Sequence, residues 1–280
     1  MTAHTKISGH LVTLAAADKR GRNLDGFWVT GARKSRKLLI FVHGMGSNFY
    51  KSRYKKAWMK LAPSRGLDVF CFNNRGCEAD VAMEHFPDCL HDIDAAMQFA
   101  RAEGYRHIYL LGHSTGCQKI TYYQHKRKPR DVKTLILTAL GDDMAIARRD
   151  LGNKYGYWIE KAGRLIREGK GDQRLPACCL GFSARRFVSA AGANSIEANL
   201  FRLDGRLKLF RNLKLPILAV FPEEEQYACI PVKQAGEILR KASTSRHFEV
   251  IYIPRADHSF RGEEEVCVKR CLRWISGASK

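Results

Sequence analysis

At 280 residues, 45% hydrophobic and 10% aromatic, the chain can bury one large core and does not need two. Its 48 Lys and Arg against 28 Asp and Glu give a net charge of +20, yet the basic clusters are scattered and lack the interleaved aromatics of a base-stacking platform, which speaks against a nucleic-acid partner. No apolar run approaches the roughly 18 residues of a membrane-spanning helix.

In chain order, residues 7–15 and 27–30 predict an antiparallel edge hairpin. From Lys37 onward strand patterns alternate with helical ones, as in residues 90–100, where Leu90, Ile93, Met97 and Ala100 fall on one face. Such alternation predicts an α/β fold: a mostly parallel sheet covered by helices on both sides, a single catalytic domain over residues 1–280. The strand at 37–42 runs into the glycine-rich turn His43-Gly44-Met45-Gly46-Ser47. Lys51, Arg53, Lys55 and Lys56 follow it, either as solvated surface or beside a pocket mouth where they would attract an anionic substrate.

The strand at 106–111 runs into Gly112-His113-Ser114-Thr115-Gly116, with a helical pattern after it. A Gly-x-Ser-x-Gly sequence in that setting forces a tight strand-to-helix turn, which lifts Ser114 out as a candidate nucleophile. The backbone N–H groups of Met45 and Thr115 are the expected oxyanion donors.

Between 141 and 213 the alternation gives way to basic amphipathic helices and turns, a candidate lid. Tyr155, Tyr157, Trp158, Ile159, Leu165 and Ile166 would form its apolar underside, or else pack the insertion onto the sheet. Strands resume at 215–221, followed by Glu223, Glu224 and Glu225. Glu225 is the expected acid partner of a catalytic histidine, with Glu224, Asp142 and Asp143 as alternatives. His258, on the loop after the strand at 248–253, is the expected general base. His113, beside the serine, is expected to pack under the turn.

The order of strand, oxyanion turn, serine elbow, acid and histidine resembles the α/β-hydrolase superfamily, from about Lys37 to Trp274. Three further stretches resemble a group of small hydrolases of that superfamily that includes fungal siderophore-ester hydrolases: Phe72-Asn73-Asn74-Arg75-Gly76, Thr115-Gly116-Cys117-Gln118, and residues 183–189 around Arg186. The chain departs from the superfamily at Pro222 and the glutamates, where a glycine and an aspartate are commoner.

The resemblance implies a serine hydrolase, in the first place a carboxylesterase acting on a small-molecule ester. Thioester, amide or carbon–carbon bond hydrolysis on the same triad, or a silent binding module, are the alternatives. The triad chemistry calls for no cofactor. Cys178 and Cys179 are adjacent, and Cys267 and Cys271 lie one turn apart without partner ligands, so neither a metal site nor a disulfide framework is expected. Mostly isolated cysteines and no signal-peptide pattern lead to a cytoplasmic expectation.

Overall fold

The computed structural model describes residues 6–16, 18 and 21–278. Eight strands form one sheet: β1 (His10–Ala15), β2 (Asn23–Val29), β3 (Lys37–Val42), β4 (Asp68–Phe72), β5 (His107–His113), β6 (Val132–Thr138), β7 (Ile217–Pro222) and β8 (Phe248–Ile253). Their order across the sheet is β1-β2-β4-β3-β5-β6-β7-β8. The pairings of β1 with β2 and of β2 with β4 are antiparallel and the rest parallel. The edge hairpin is therefore present, but its second strand starts at Asn23 and also closes onto β4.

The parallel strands are buried on both faces, so alternate residues enter different cores. Leu38, Ile40 and Val42 of β3 join the core beneath α2 (Cys89–Ala102), α3 (Gly116–Arg127) and α9 (Val232–Ala242). Leu39 and Phe41 join the opposite core, under α1 (Arg53–Leu61) and α10 (Glu264–Ala278). The helical spacing read over 90–100 falls in α2, whose Ile93, Met97 and Ala100 are fully buried.

Between β6 and β7 lie α4 (Asp143–Leu151), α5 (Tyr155–Arg167), α6 (Ala184–Ala191), α7 (Ile196–Leu200) and α8 (Lys208–Arg211). Side-chain caps fix where three of them start. Asp142 accepts from the Ala145 N–H at 2.9 Å, Ser183 from Arg186 N–H at 3.1 Å and Ser195 from Ala198 N–H at 2.9 Å. Leu151, Ala162, Phe182 and Phe187 of the insertion form a third core, which Ala82 from outside it also enters. Among the described residues no helix is long and apolar enough to cross a membrane.

Candidate active site

The turn between β5 and α3 holds Ser114 at φ +56°, a left-handed conformation that costs a non-glycine residue and persists only where the surroundings enforce it. Here β6 enforces it: the Ser114 N–H donates to the Thr138 carbonyl at 3.0 Å, and the Thr138 hydroxyl donates to the Gly112 carbonyl at 3.0 Å. Glycine is obligatory beside it. A methyl group at Gly116 would stand 2.1 Å from the Val42 carbonyl oxygen, and one at Gly44 would stand 2.7 Å from the Ser114 Cβ. Close approach of the two glycine-rich turns thus brings Met45 and Thr115 to the serine, and all three line one cavity.

The stretch Asn73-Asn74-Arg75-Gly76 braces the first of these turns, a role that its sequence did not reveal. Asn74 Oδ1 accepts from the His43 N–H at 3.1 Å, Asn73 Oδ1 from the Phe49 N–H at 2.8 Å, and the Gly76 carbonyl from the Gly46 N–H at 2.8 Å. His43 is fully buried, its Nδ1–H donating to the Gly44 carbonyl at 2.8 Å. Burial, then the nearby Lys119, holds its pKa well below the usual histidine value, so the ring is neutral.

His258 and Glu225 meet at the ends of β8 and β7. The Glu225 carboxylate lies 2.9 and 2.8 Å from His258 Nδ1, with its side chain only 4% exposed. Its Oε1 also accepts from the Tyr227 N–H at 3.1 Å. Nδ1 being taken, Nε2 is the ring nitrogen left for a serine hydroxyl. His113 sits under the turn as expected, its Nε2–H donating to the His258 carbonyl at 2.9 Å. Burial lowers the His113 pKa well below normal, so this ring positions the His258 loop as a neutral donor.

The other acids are engaged elsewhere. Asp142 caps α4 and accepts from the Leu203 N–H at 2.8 Å. Glu223 and Glu224 are exposed. Asp143 lines the cavity without reaching His258; its Oδ2 accepts from Gln118 Nε2 at 3.1 Å.

The cavity, about 350 Å³, is walled by Ser114, Thr115, Glu225, Tyr227 and His258 on one side and by α4 and residues 178–191 on the other. The expected underside from α5 is corrected. Leu165, Tyr155, Trp158, Ile159 and Ile166 pack into the third core, and Tyr157 is 57% exposed. Ile146, Leu151, Phe182 and Phe187 supply the apolar wall instead. The basic cluster after the oxyanion turn also lies outside this cavity. Lys51 pairs with Glu78 at 2.8 Å, Lys55 is buried with its ammonium on the Ser47 hydroxyl at 2.8 Å, and Arg53 and Lys56 line an outer hollow with Phe27 and Phe49.

Behind the cavity runs a fully buried ion network. Lys119 on α3 meets Glu84 at 2.6 Å, Glu84 meets Arg186 on α6 at 3.4 Å, and Arg186 meets Glu197 on α7 at 2.6 Å. Lys119 also donates to the Arg75 carbonyl at 2.7 Å, and Arg75 forks onto the buried Asp92. The insertion is thereby tied to the helix that follows the serine turn. All nine cysteines are unpaired.

A family model described as the alpha/beta hydrolase fold matches residues 37–162. No curated protein matches the chain in sequence. Among solved structures, the siderophore hydrolase EstB from Aspergillus fumigatus is similar over 98% of either chain at 18% identity, with a TM-score of 0.74. Est1E from Butyrivibrio proteoclasticus is similar over 97% of this chain and 99% of its own, at 17% identity and a TM-score of 0.69. A thermostable carboxyl esterase from Bacillus coagulans is similar over 98% and 99%, at 14% identity and a TM-score of 0.70. At such identities the likeness speaks for the fold. The eight-stranded, mostly parallel sheet, the family match and these neighbours together make the chain an α/β-hydrolase-fold protein that resembles the group containing the siderophore hydrolase.

Proposed function

We propose that the protein is a serine hydrolase that cleaves a carboxylic ester through an acyl-enzyme on Ser114. The observation that carries this reading is the Glu225 carboxylate 2.8 Å from His258 Nδ1, in the cavity that the strained Ser114 also lines. His258 Nε2 takes the Ser114 proton as the serine oxygen attacks the ester carbonyl, and Glu225 holds the ring's tautomer and stabilises the imidazolium. The developing oxyanion is met by the N–H groups of Met45 and Thr115. The imidazolium then returns its proton to the departing alcohol, and the same base activates the water that releases the acid.

Residues 141–213 act as a lid in this reading, their apolar side chains keeping bulk water from the acyl-enzyme. The similar structures support an ester substrate: one is a carboxyl esterase, one a siderophore hydrolase, and Est1E has been solved with ferulic acid bound. The test is hydrolysis of p-nitrophenyl esters. Ser114→Ala is expected to lower kcat on the order of 10⁴- to 10⁶-fold. Turnover by that variant near the parent rate overturns the reading.

A further inference from the structure

The cavity lining lacks the cations that dominate the protein's charge. In a chain with 48 Lys and Arg, none lines the cavity among the described residues, whereas Asp143 and Asp150 do, in addition to Glu225. An anionic acyl group would find no cation in that lining, and since Asp150 is paired with Arg149 at 2.8 Å it is the lack of a counter-charge that disfavours such a group.

Whereas Asp150 is exposed, Asp143 is half-buried in this wall. It opens α4 beside Leu140 and Ile146, and its one described hydrogen bond is the one that Oδ2 accepts from Gln118 Nε2 at 3.1 Å. Gln118 is itself anchored on the Gly141 carbonyl at 3.2 Å, so the carboxyl is held in a fixed orientation. The network behind it is already balanced, two cations (Lys119, Arg186) against two anions (Glu84, Glu197). A further anion set against it, half-buried in the cavity wall, would have no counter-charge, and a carboxyl drawn out of water in that way sheds its charge instead. Burial first, and Glu197 next, push the Asp143 carboxyl well above the ordinary carboxylate range, with Arg186 opposing. Asp142 and Glu84 add to the rise. A neutral carboxyl is a donor as well as an acceptor.

We propose that Asp143 is a specificity residue: it donates a hydrogen bond to an uncharged acceptor oxygen, such as a ketone or amide carbonyl, on the part of the ester lodged between Ser114 and α4. The wall around it is otherwise largely apolar, which makes this one donor decisive for orientation. The proposal rests on the serine-hydrolase reading above. It gives a purpose to two stretches singled out in the sequence, since Gln118 orients the acid and Arg186 balances the charges behind it.

The test compares p-nitrophenyl alkanoates with chain-matched analogues in which one methylene is a ketone carbonyl, a terminal group is a carboxylate, or a terminal group is an ammonium. Wild-type protein should favour the ketone ester over the alkyl ester at some carbonyl position by about three- to tenfold in kcat/KM, and should disfavour the carboxylate ester. Asp143→Ala and Asp143→Leu should bring the ketone preference to near unity. Asp143→Asn should keep part of it, because its amide still donates. Fluorophosphonate labelling of Ser114 reports that each variant is folded, and Leu serves if Ala is not. No ketone preference at any position, an unchanged preference in Asp143→Leu, or a preference for the ammonium ester overturns the assignment. Absence of turnover on the alkyl ester and of labelling in wild type would instead bring down the hydrolase reading beneath it.

Discussion

The Glu225 carboxylate lies 2.8 Å from His258 Nδ1, its side chain almost wholly buried by the Tyr227 segment and the cavity wall. A carboxylate so placed fixes the ring tautomer and stabilises its protonated form. Glu225→Gln is expected to cost on the order of 10² to 10⁴ in kcat. Glu224→Gln, on an exposed side chain, should be silent in the same assay. Asp142→Ala should leave kcat in place and cost about 1 kcal/mol in urea denaturation, the typical scale for a lost helix cap.

The elbow has no room for a side chain at Gly116, where a methyl group would meet the Val42 carbonyl oxygen at 2.1 Å. Backbone must shift to admit it. Gly116→Ala should destabilise the protein by about 1–3 kcal/mol or more and lower kcat as well, because Thr115 and Ser114 move with the turn. Thermal melting and ester turnover on the same preparation check both.

Removing one member of the buried network strands another. Lys119→Met takes the nearer cation from Glu84, which then shares only Arg186 at 3.4 Å. Breaking a buried pair on one side costs about 3–5 kcal/mol, so chemical denaturation should register a loss of that order. The double replacement Lys119→Met with Glu84→Leu should recover much of it.

Lys55 is buried, and burial pulls its ammonium from 10.5 down to about 8. The unfolded chain therefore binds this proton more tightly than the folded one. Below pH 8 the burden on the fold is complete, and it is relieved as pH rises toward 10.5. Lys55→Met should accordingly be more stable than wild type at pH 7 by about 1–3 kcal/mol, after loss of the bond to Ser47. That advantage should shrink steadily between pH 8 and 10.5. A gap that is constant with pH would mean that the folded and unfolded chains bind this proton equally, so that burial does not depress it.

What the sequence made legible follows from where the constraint is local. The elbow could be read because its whole pattern lies within five consecutive residues between a strand and a helix, although Gly116 itself answers to the distant Val42 carbonyl, and the strands because each is an apolar run between turns. Glu225 could only be guessed among four acids. What singles it out is where the β7 and β8 loops bring it, beside His258, while Asp142 is occupied by α4. The α5 face misled because an amphipathic helix announces that it is covered, without saying by what. It covers the third core, and the cavity is walled by α4 and residues 178–191. In the charge run after the oxyanion turn, Lys51 and Arg53 line a hollow beside Gly46 and Ser259, but Lys55 departs from a surface role. Lys55 lies along Phe41 and reaches Ser47 inside the protein, which no composition reveals.

The central claim is that Ser114 is a nucleophile activated by His258, and labelling by a fluorophosphonate tests it most directly. Mass spectrometry of the digested protein should place the adduct on the peptide containing Ser114. It should be missing from Ser114→Ala and form far more slowly in His258→Ala, while both variants melt as cooperatively as wild type. Folded wild-type protein that takes no label, or a label that persists undiminished in Ser114→Ala, would contradict the account.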